Sequence, residues 1–216
     1  MSLTELEEYI ETGNYQDLDL LLSKNPDLVK ESTSHDISPL LLACYYQKNQ
    51  IVQVILKYIR SITIHEACAA GLIEQVEFML EQKPEVINEL SSHGFYPLGI
   101  ASHFGQEEIV RLLLRNHANP NQASQNGYQV YPLHAALSNQ HDIIAKMLIE
   151  AGAEVNVLQS SRITPLHLAA QQGNIDLIII LLEHGANIEV RNDIGLTASD
   201  MALEKGFKEI AEILKT

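Results

Sequence analysis

The 216-residue sequence predicts an all-α fold of stacked helix-turn-helix units joined by short β-hairpin loops. Three observations carry this. A signature recurs along the chain: Thr164-Pro165-Leu166-His167-Leu168-Ala169-Ala170 returns as Tyr131-Pro132-Leu133-His134-Ala135-Ala136, as Tyr96-Pro97-Leu98-Gly99-Ile100-Ala101 and as Ser38-Pro39-Leu40-Leu41-Leu42-Ala43, with weaker copies at Ile62-Thr63-Ile64-His65-Glu66-Ala67 and Thr197-Ala198-Ser199-Asp200-Met201-Ala202. A Gly follows nine residues after the first position at Gly71, Gly105, Gly173 and Gly206, and Gly13 then sets a first unit at Thr4. After each Gly comes a longer apolar-periodic stretch, such as Ile175, Leu177, Ile178, Leu181 and Leu182.

Each element has a local reason. Pro suits the first turn of a helix, where its missing N–H has no partner to lose, and Gly ends the helix in a left-handed conformation. The second helix then runs to a turn such as His184-Gly185-Ala186-Asn187, and an extended loop leads to the next unit. No single unit can bury both faces of its helices, so stacking supplies the core. Units start near 4, 38, 62, 96, 131, 164 and 197. The step from Ser38 to Ile62 is short because Ile51, Val52, Ile55 and Leu56 run almost directly into the third unit, which removes one hairpin between units two and three. The step from Tyr96 to Tyr131 is long because Gln129-Val130 is inserted after Gly127-Tyr128, which lengthens that fingertip.

Both ends read as polar caps. Leu3, Leu6 and Ile10 share a face of the first helix, opposite Glu5, Glu7, Glu8 and Glu11. Phe207, Ile210, Ile213 and Leu214 oppose Lys208, Glu209, Glu212 and Lys215 in the last, and Thr197-x-x-Asp200 resembles a capping box. Capped ends predict a complete array and a monomer. Glu74, Glu77, Glu81 and Glu85 fall on one second helix, as a solvated face or a dock for a basic partner.

The signature and its period of 33 resemble the ankyrin repeat across essentially the whole chain. The resemblance implies one ankyrin repeat domain over residues 1–216, an ankyrin repeat solenoid with an N-terminal cap at 1–32 and a C-terminal cap at 197–216. It implies protein binding in a concave groove formed by hairpin tips and the exposed ends of first helices. Carried over position by position, the helix contacts are Tyr45 and Tyr46, Ala69 and Ala70, His103 and Phe104, Ser138 and Asn139, Gln171 and Gln172, then Glu204 and Lys205. Tip positions include His35, Ile37, His93, Phe95, Ser161 and Ile163, with Tyr128 on the lengthened loop. The first ten helix positions contain no Asp, Glu, Lys or Arg, and aromatics are enriched there, as at interface cores. At the missing hairpin the expectation is an open recess floored by Ala69 and Ala70, with Tyr45 and Tyr46 on one wall, His103 and Phe104 on the other, and His93 and Phe95 on the nearest fingertip. A competing expectation is a small-molecule-binding regulator that uses this notch.

Other classes are disfavoured. Fourteen Lys and Arg against 28 Asp and Glu give a formal charge of -14, which repels phosphate and anionic lipid. No apolar run approaches the 18 or so residues of a membrane span, and two cysteines make no disulfide framework, which points to a cytoplasmic protein. His65, His134 and His167 recur one per unit, about 10 Å apart, too far to share a metal ion. In the family the same ring ties adjacent loops together. No nucleophile, phosphate-loop or metalloprotease motif occurs, so neither enzymatic activity nor a cofactor is expected. Cys44 and Cys68 take the place of the second signature Ala and read as small buried hydrophobes with free thiols. Asn88, Asn121 and Asn156 precede the loops, where turn hydrogen bonding accounts for them. In animal members of the family that position is also an asparaginyl hydroxylase substrate.

Overall fold

A computed structural model describes residues 3–215, and among them there are helices and turns but no β-strand. The first helices of the units are α1 (Leu3–Thr12), α3 (Pro39–Tyr45), α5 (Ile64–Ala70), α7 (Pro97–His103), α9 (Pro132–Ser138), α11 (Pro165–Gln172) and α13 (Ala198–Glu204). The second helices are α2 (Tyr15–Lys24), α4 (Asn49–Tyr58), α6 (Ile73–Gln82), α8 (Glu107–Arg115), α10 (Asp142–Glu150), α12 (Ile175–Glu183) and α14 (Lys208–Ile213). The chain divides into two compact bodies, Met1–Val76 and Glu77–Thr216, with the division inside α6.

In the first body α1 packs on α2 and α3, α2 on α4, and α3 on α4 and α5. Its core is built from Leu6, Ile10, Leu18, Leu22, Leu40, Ile51 and Ile55, all fully buried. In the second body the first helices follow one another as α7, α9, α11 and α13, backed by the row α8, α10 and α12. Each apolar stripe therefore meets its own partner helix and the neighbouring unit, and Leu113, Leu133, Leu137, Ile144, Leu166 and Leu177 fill the space between.

The helix starts follow the signature. Ser38 Oγ accepts from Leu41 N at 3.3 Å, and Thr164 and Thr197 close capping boxes with His167 and Asp200. The third unit departs by one residue. Ile62 cannot cap a helix, so Thr63 does, and Glu66 Oε2 accepts from Thr63 N at 2.8 Å to close the box. Where the helix-ending Gly is absent, Gln47 and Gln140 take its left-handed conformation, with φ of 54° and 59°. That conformation is strained for a side-chain-bearing residue.

The loops are smaller than the hairpins the sequence predicts. Each closes with one backbone rung: Thr33 N to Ile37 O, Ser91 N to Phe95 O, Gln159 N to Ile163 O and Asn192 N to Leu196 O, at 2.9 to 3.1 Å. Among the described residues only Gln159 and Ile163 pair as a β-bridge, and one rung does not make a strand. The inserted pair widens one loop, which closes from Ser124 N to Val130 O. In the second body the tips are bonded in series: Gln125 N to Gly94 O at 2.7 Å, Ser160 N to Tyr128 O at 2.9 Å and Asp193 N to Ser161 O at 3.1 Å. Gly94 is required at this approach, since an added Cβ would lie 2.9 Å from the backbone of Gln125 and Asn126. At the short step, α4 ends at Tyr58 and only residues 59–63 precede α5. Tyr58 Oη donates to Asp19 Oδ1 at 2.8 Å, which fastens the end of α4 to α2.

One cap differs from expectation. Leu6 and Ile10 are buried in α1, but of the four apolar residues expected to pack in the last helix, Ile210 and Leu214 are buried while Phe207 and Ile213 are exposed, as is Leu203 of α13. The Phe207 ring is drawn backwards over Gly173, where an added Cβ would meet it at 2.6 Å. Glu74, Glu77, Glu81 and Glu85 are all exposed.

Candidate functional site

The expected contact residues sit where first helices end, because those helices are only two turns long and their last residues emerge beside the following turn. In the first body Tyr45 closes α3 with 48% of its surface exposed, and Tyr46 caps the helix with 39% exposed. Tyr46 Oη donates to Glu11 Oε1 at 2.9 Å, and this bond to a carboxylate raises the phenol's pKa. Ala69 is 2% exposed and belongs to the core of its unit, whereas Ala70 is half-buried.

In the second body the row is laced together. The rings of His103 and Phe104 meet edge-on, with centroids 4.8 Å apart. Asn139 Nδ2 lies 3.1 Å from His103 Nδ1 and donates to Ala135 O at 2.8 Å. His141 Nε2 lies 3.0 Å from His103 O, and its ring covers Gly105. Burial, reinforced by the nearby His141, lowers the His103 pKa and favours the neutral ring that can accept from Asn139. One unit further on, Gln172 Nε2 donates to Leu137 O at 2.6 Å, with its Oε1 buried and unpartnered. Ser138 and Asn139 are exposed, and Gln171 and Gln172 half-buried. Glu204 and Lys205 continue the row as exposed charges.

The tips add further side chains. Phe95 and His93 are half-buried, with His93 Nδ1 3.1 Å from Ser92 Oγ, and Ser91 Oγ accepts from Phe95 N. Tyr128 is 65% exposed on the widened tip, whose backbone is anchored to Ser160. Ser161 and His35 are exposed, Ile37 and Ile163 half-buried. Thus in the second body His103 is held by the Phe104 ring and by Asn139, while Gln172 is tied separately to the Leu137 carbonyl, and Tyr45 and Tyr46 project from the first body.

The signature histidines are structural ties. His134 Nε2 lies 3.0 Å from Ile163 O and His167 Nε2 3.1 Å from Leu196 O, each reaching the following loop. Burial lowers both, His134 to about 4. Cys44 and Cys68 are buried free thiols whose pKa burial raises, that of Cys44 to about 12. Asn121 bonds Gly152 O and Glu154 N, and Asn156 repeats this with Gly185 O and Asn187 N, all at 2.7 to 3.0 Å. Among the described residues no three His, Cys, Asp or Glu side chains are grouped to hold a metal ion.

The short step also leaves a cavity of ≈ 270 Å³ that residue types alone did not locate. It is lined by Leu56, Ile59, Arg60, Ser61, Ile62, Leu72 and Gln75, none of which belongs to the uncharged row. The spacing of 24 was the only signal for it.

A family model described as ankyrin repeats, in three copies, matches residues 6–123, 64–159 and 133–216. The chain is similar to alpha-latrocrustotoxin-Lt1a of Latrodectus tredecimguttatus, 30% identical over 139 residues, or 64% of this chain and 8% of that protein. It is similar to the human transient receptor potential cation channel subfamily A member 1, 35% identical over 88 residues, 40% of this chain and 8% of the channel. Human DNA-binding protein RFXANK is 34% identical over 74 residues, 34% of this chain and 28% of that protein. The aligned part therefore spans less than a third of the length of each of these relatives.

Proposed function

The chain belongs to the ankyrin repeat family, and from that premise we propose that it is a protein-binding module whose partner lies along the ends of the first helices and the adjoining tips. Ankyrin repeats generally serve protein–protein interaction. The observation that carries the reading here is that the ends of the first helices lack Asp, Glu, Lys and Arg within each body, at Tyr45, Tyr46, Ala69 and Ala70 in the first and at His103, Phe104, Ser138, Asn139, Gln171 and Gln172 in the second, in a chain with a formal charge of -14. Exposed Tyr45, Tyr46 and Tyr128 offer large contact area at a small cost in side-chain entropy, and His103 and Phe104 are already held edge-on. Fixed side chains lose little freedom on binding.

On this reading the chain acts in the cytoplasm as a binding protein rather than an enzyme, and without a cofactor. RFXANK is named a DNA-binding protein, but the acidic charge of this chain opposes phosphate, which favours a protein partner. The test is affinity capture of the partner, followed by titration against Tyr46→Ala and Phe104→Ala. Each should weaken binding by about 1 to 3 kcal/mol. Unchanged affinity in both would contradict the reading.

A second reading has one observation in its favour, the ≈ 270 Å³ cavity with Leu56, Ile59, Ile62 and Leu72 beside Arg60, Ser61 and Gln75. Apolar walls with a few polar groups suit a small amphipathic ligand. A saturable rise in melting temperature with a metabolite, abolished by Ile62→Asp, would support it. No rise across a broad panel would count against it.

A further inference from the structure

Charge is unevenly spread along the chain. Between Asp36 and Glu66 no Asp or Glu occurs, in a sequence that has 28 of them, while Lys48, Lys57 and Arg60 make the stretch basic. It spans α3, α4 and the short step into α5. Glu66, which ends it, is buried and spent on the cap at Thr63. Lys57 is paired with Asp19 at 3.2 Å. Among the described residues the exposed Arg60 guanidinium makes no hydrogen bond or ion pair, because Asp27, the acid that feels its charge, is bonded to Lys30 at 2.5 Å. This uncommitted cation lines the ≈ 270 Å³ cavity at the short step.

We propose that the cavity binds a small amphipathic carboxylate, with its head on Arg60 and its apolar chain on Leu56, Ile59, Ile62 and Leu72. The inference rests on the second reading above, that the cavity is a ligand site, and adds the charge and class of the ligand. A carboxylate only accepts hydrogen bonds, and Arg60, Ser61 and Gln75 all line the cavity with groups that donate. The planar guanidinium matches two carboxylate oxygens at once. An amine would meet the charge of Arg60 with no acid in the lining, and an alcohol would leave that charge unanswered. The four apolar side chains are each half-buried, so a chain laid on them removes surface that water now covers. Size narrows the class further. About 150 Å³ holds a benzene, and drug-sized ligands fill about 300 Å³ or more, so ≈ 270 Å³ suits a short acyl chain. One guanidinium answers one negative charge, and the formal charge of -14 opposes polyanions such as nucleotides.

Titration of the isotope-labelled full chain with octanoate, followed by its amide chemical shifts at about pH 7.5 and about 150 mM salt, tests it. Saturable shifts are expected at residues 56–62 and at Leu72 and Gln75, with a Kd of about 1 mM or tighter. Octanol and octylamine, with the same chain and a different head, should bind at least about tenfold more weakly. Arg60→Gln should weaken octanoate at least about tenfold, while Lys48→Gln, which removes the same charge at the other end of α4, should change it less than about twofold. Arg60 is exposed, so its replacement keeps the fold, and unshifted amides elsewhere in the spectrum check this. Octanol or octylamine binding at these residues as tightly as octanoate overturns the proposal but leaves the cavity a ligand site, and so does unchanged octanoate binding in Arg60→Gln. Binding of N-acetyl-leucyl-leucine in place of octanoate would assign the cavity to a polypeptide C-terminus and also overturn it. If none of these probes shifts these residues up to about 10 mM, the proposal and the ligand-site reading both fall.

Discussion

Thr164 Oγ1 lies 2.7 Å from His167 Nδ1, a contact that Tyr131 does not make with His134, whose Nδ1 is buried without a hydrogen-bond partner. The two histidines occupy the same place in successive units and make the same bond to the next loop. Only the residue at the helix start differs.

Helix α11 should therefore depend on Thr164 more than its neighbour depends on Tyr131. Thr164→Ala removes the side-chain cap and the hydroxyl contact with His167 Nδ1, which keeps only the bond from the Thr164 backbone N–H at 3.2 Å, at a cost of about 1 to 2 kcal/mol. The converse change Tyr131→Thr supplies the missing hydroxyl and should stabilise by about 1 kcal/mol. Urea titrations of both variants check the pair of signs, and a loss of stability in Tyr131→Thr would show that the aromatic contact outweighs the cap.

Acidification should weaken the fold through a buried histidine. His134 has a folded pKa of about 4 against 6.5 unfolded, so between those values the unfolded chain binds the extra proton. Stability from this group is then complete above pH 6.5 and falls with pH down to about 4, by about 2 kcal/mol at pH 5. His167, also lowered by burial, adds to the fall in the same direction. Urea midpoints at pH 7.5 and pH 5 measure it, and His134→Gln should flatten the dependence.

The turn after each first helix separates two costs of losing glycine. At Gly206 an added Cβ meets nothing within 4 Å, so Gly206→Ala carries only the left-handed backbone penalty of about 1 to 2 kcal/mol. Gly173→Ala must in addition push the Phe207 ring aside and should cost more. A double-mutant cycle with Phe207→Ala should recover the excess. Gln140→Gly, at φ 59°, should go the other way and stabilise by about 1 kcal/mol.

Cys44 and Cys68 should resist thiol reagents in the folded protein, since burial disfavours their thiolates and blocks access. Two thiols should titrate after unfolding without reductant. Titration of none would mean a disulfide.

The sequence made the helix pairs legible because Pro, Gly and the apolar period each have a single local meaning here. It also located the short step and the widened tip, since both are insertions or deletions against a fixed period. Three features were not legible, each for a reason that lies between units. The single-rung loops depend on tip-to-tip bonds such as Gln125 N to Gly94 O, which local patterns do not encode. The bonding of Asn139 to His103 and of Gln172 to Leu137 joins residues 36 and 35 positions apart. Leu203 is exposed although Cys44, Cys68, Ser102, Leu137 and Ala170 at the same place of other units are buried, a difference that no pattern within α13 encodes. Thr63 in place of Ile62 as the cap was readable from its hydroxyl and from Glu66 three residues on.

Hydrogen exchange on the chain with and without its captured partner tests the binding surface most directly. The account predicts new protection in peptides that carry Tyr45 and Tyr46, His103 and Phe104, Ser138 and Asn139, and the tip at Tyr128. Protection confined to the second helices α8, α10 and α12, with those peptides exchanging as in the free chain, would contradict it.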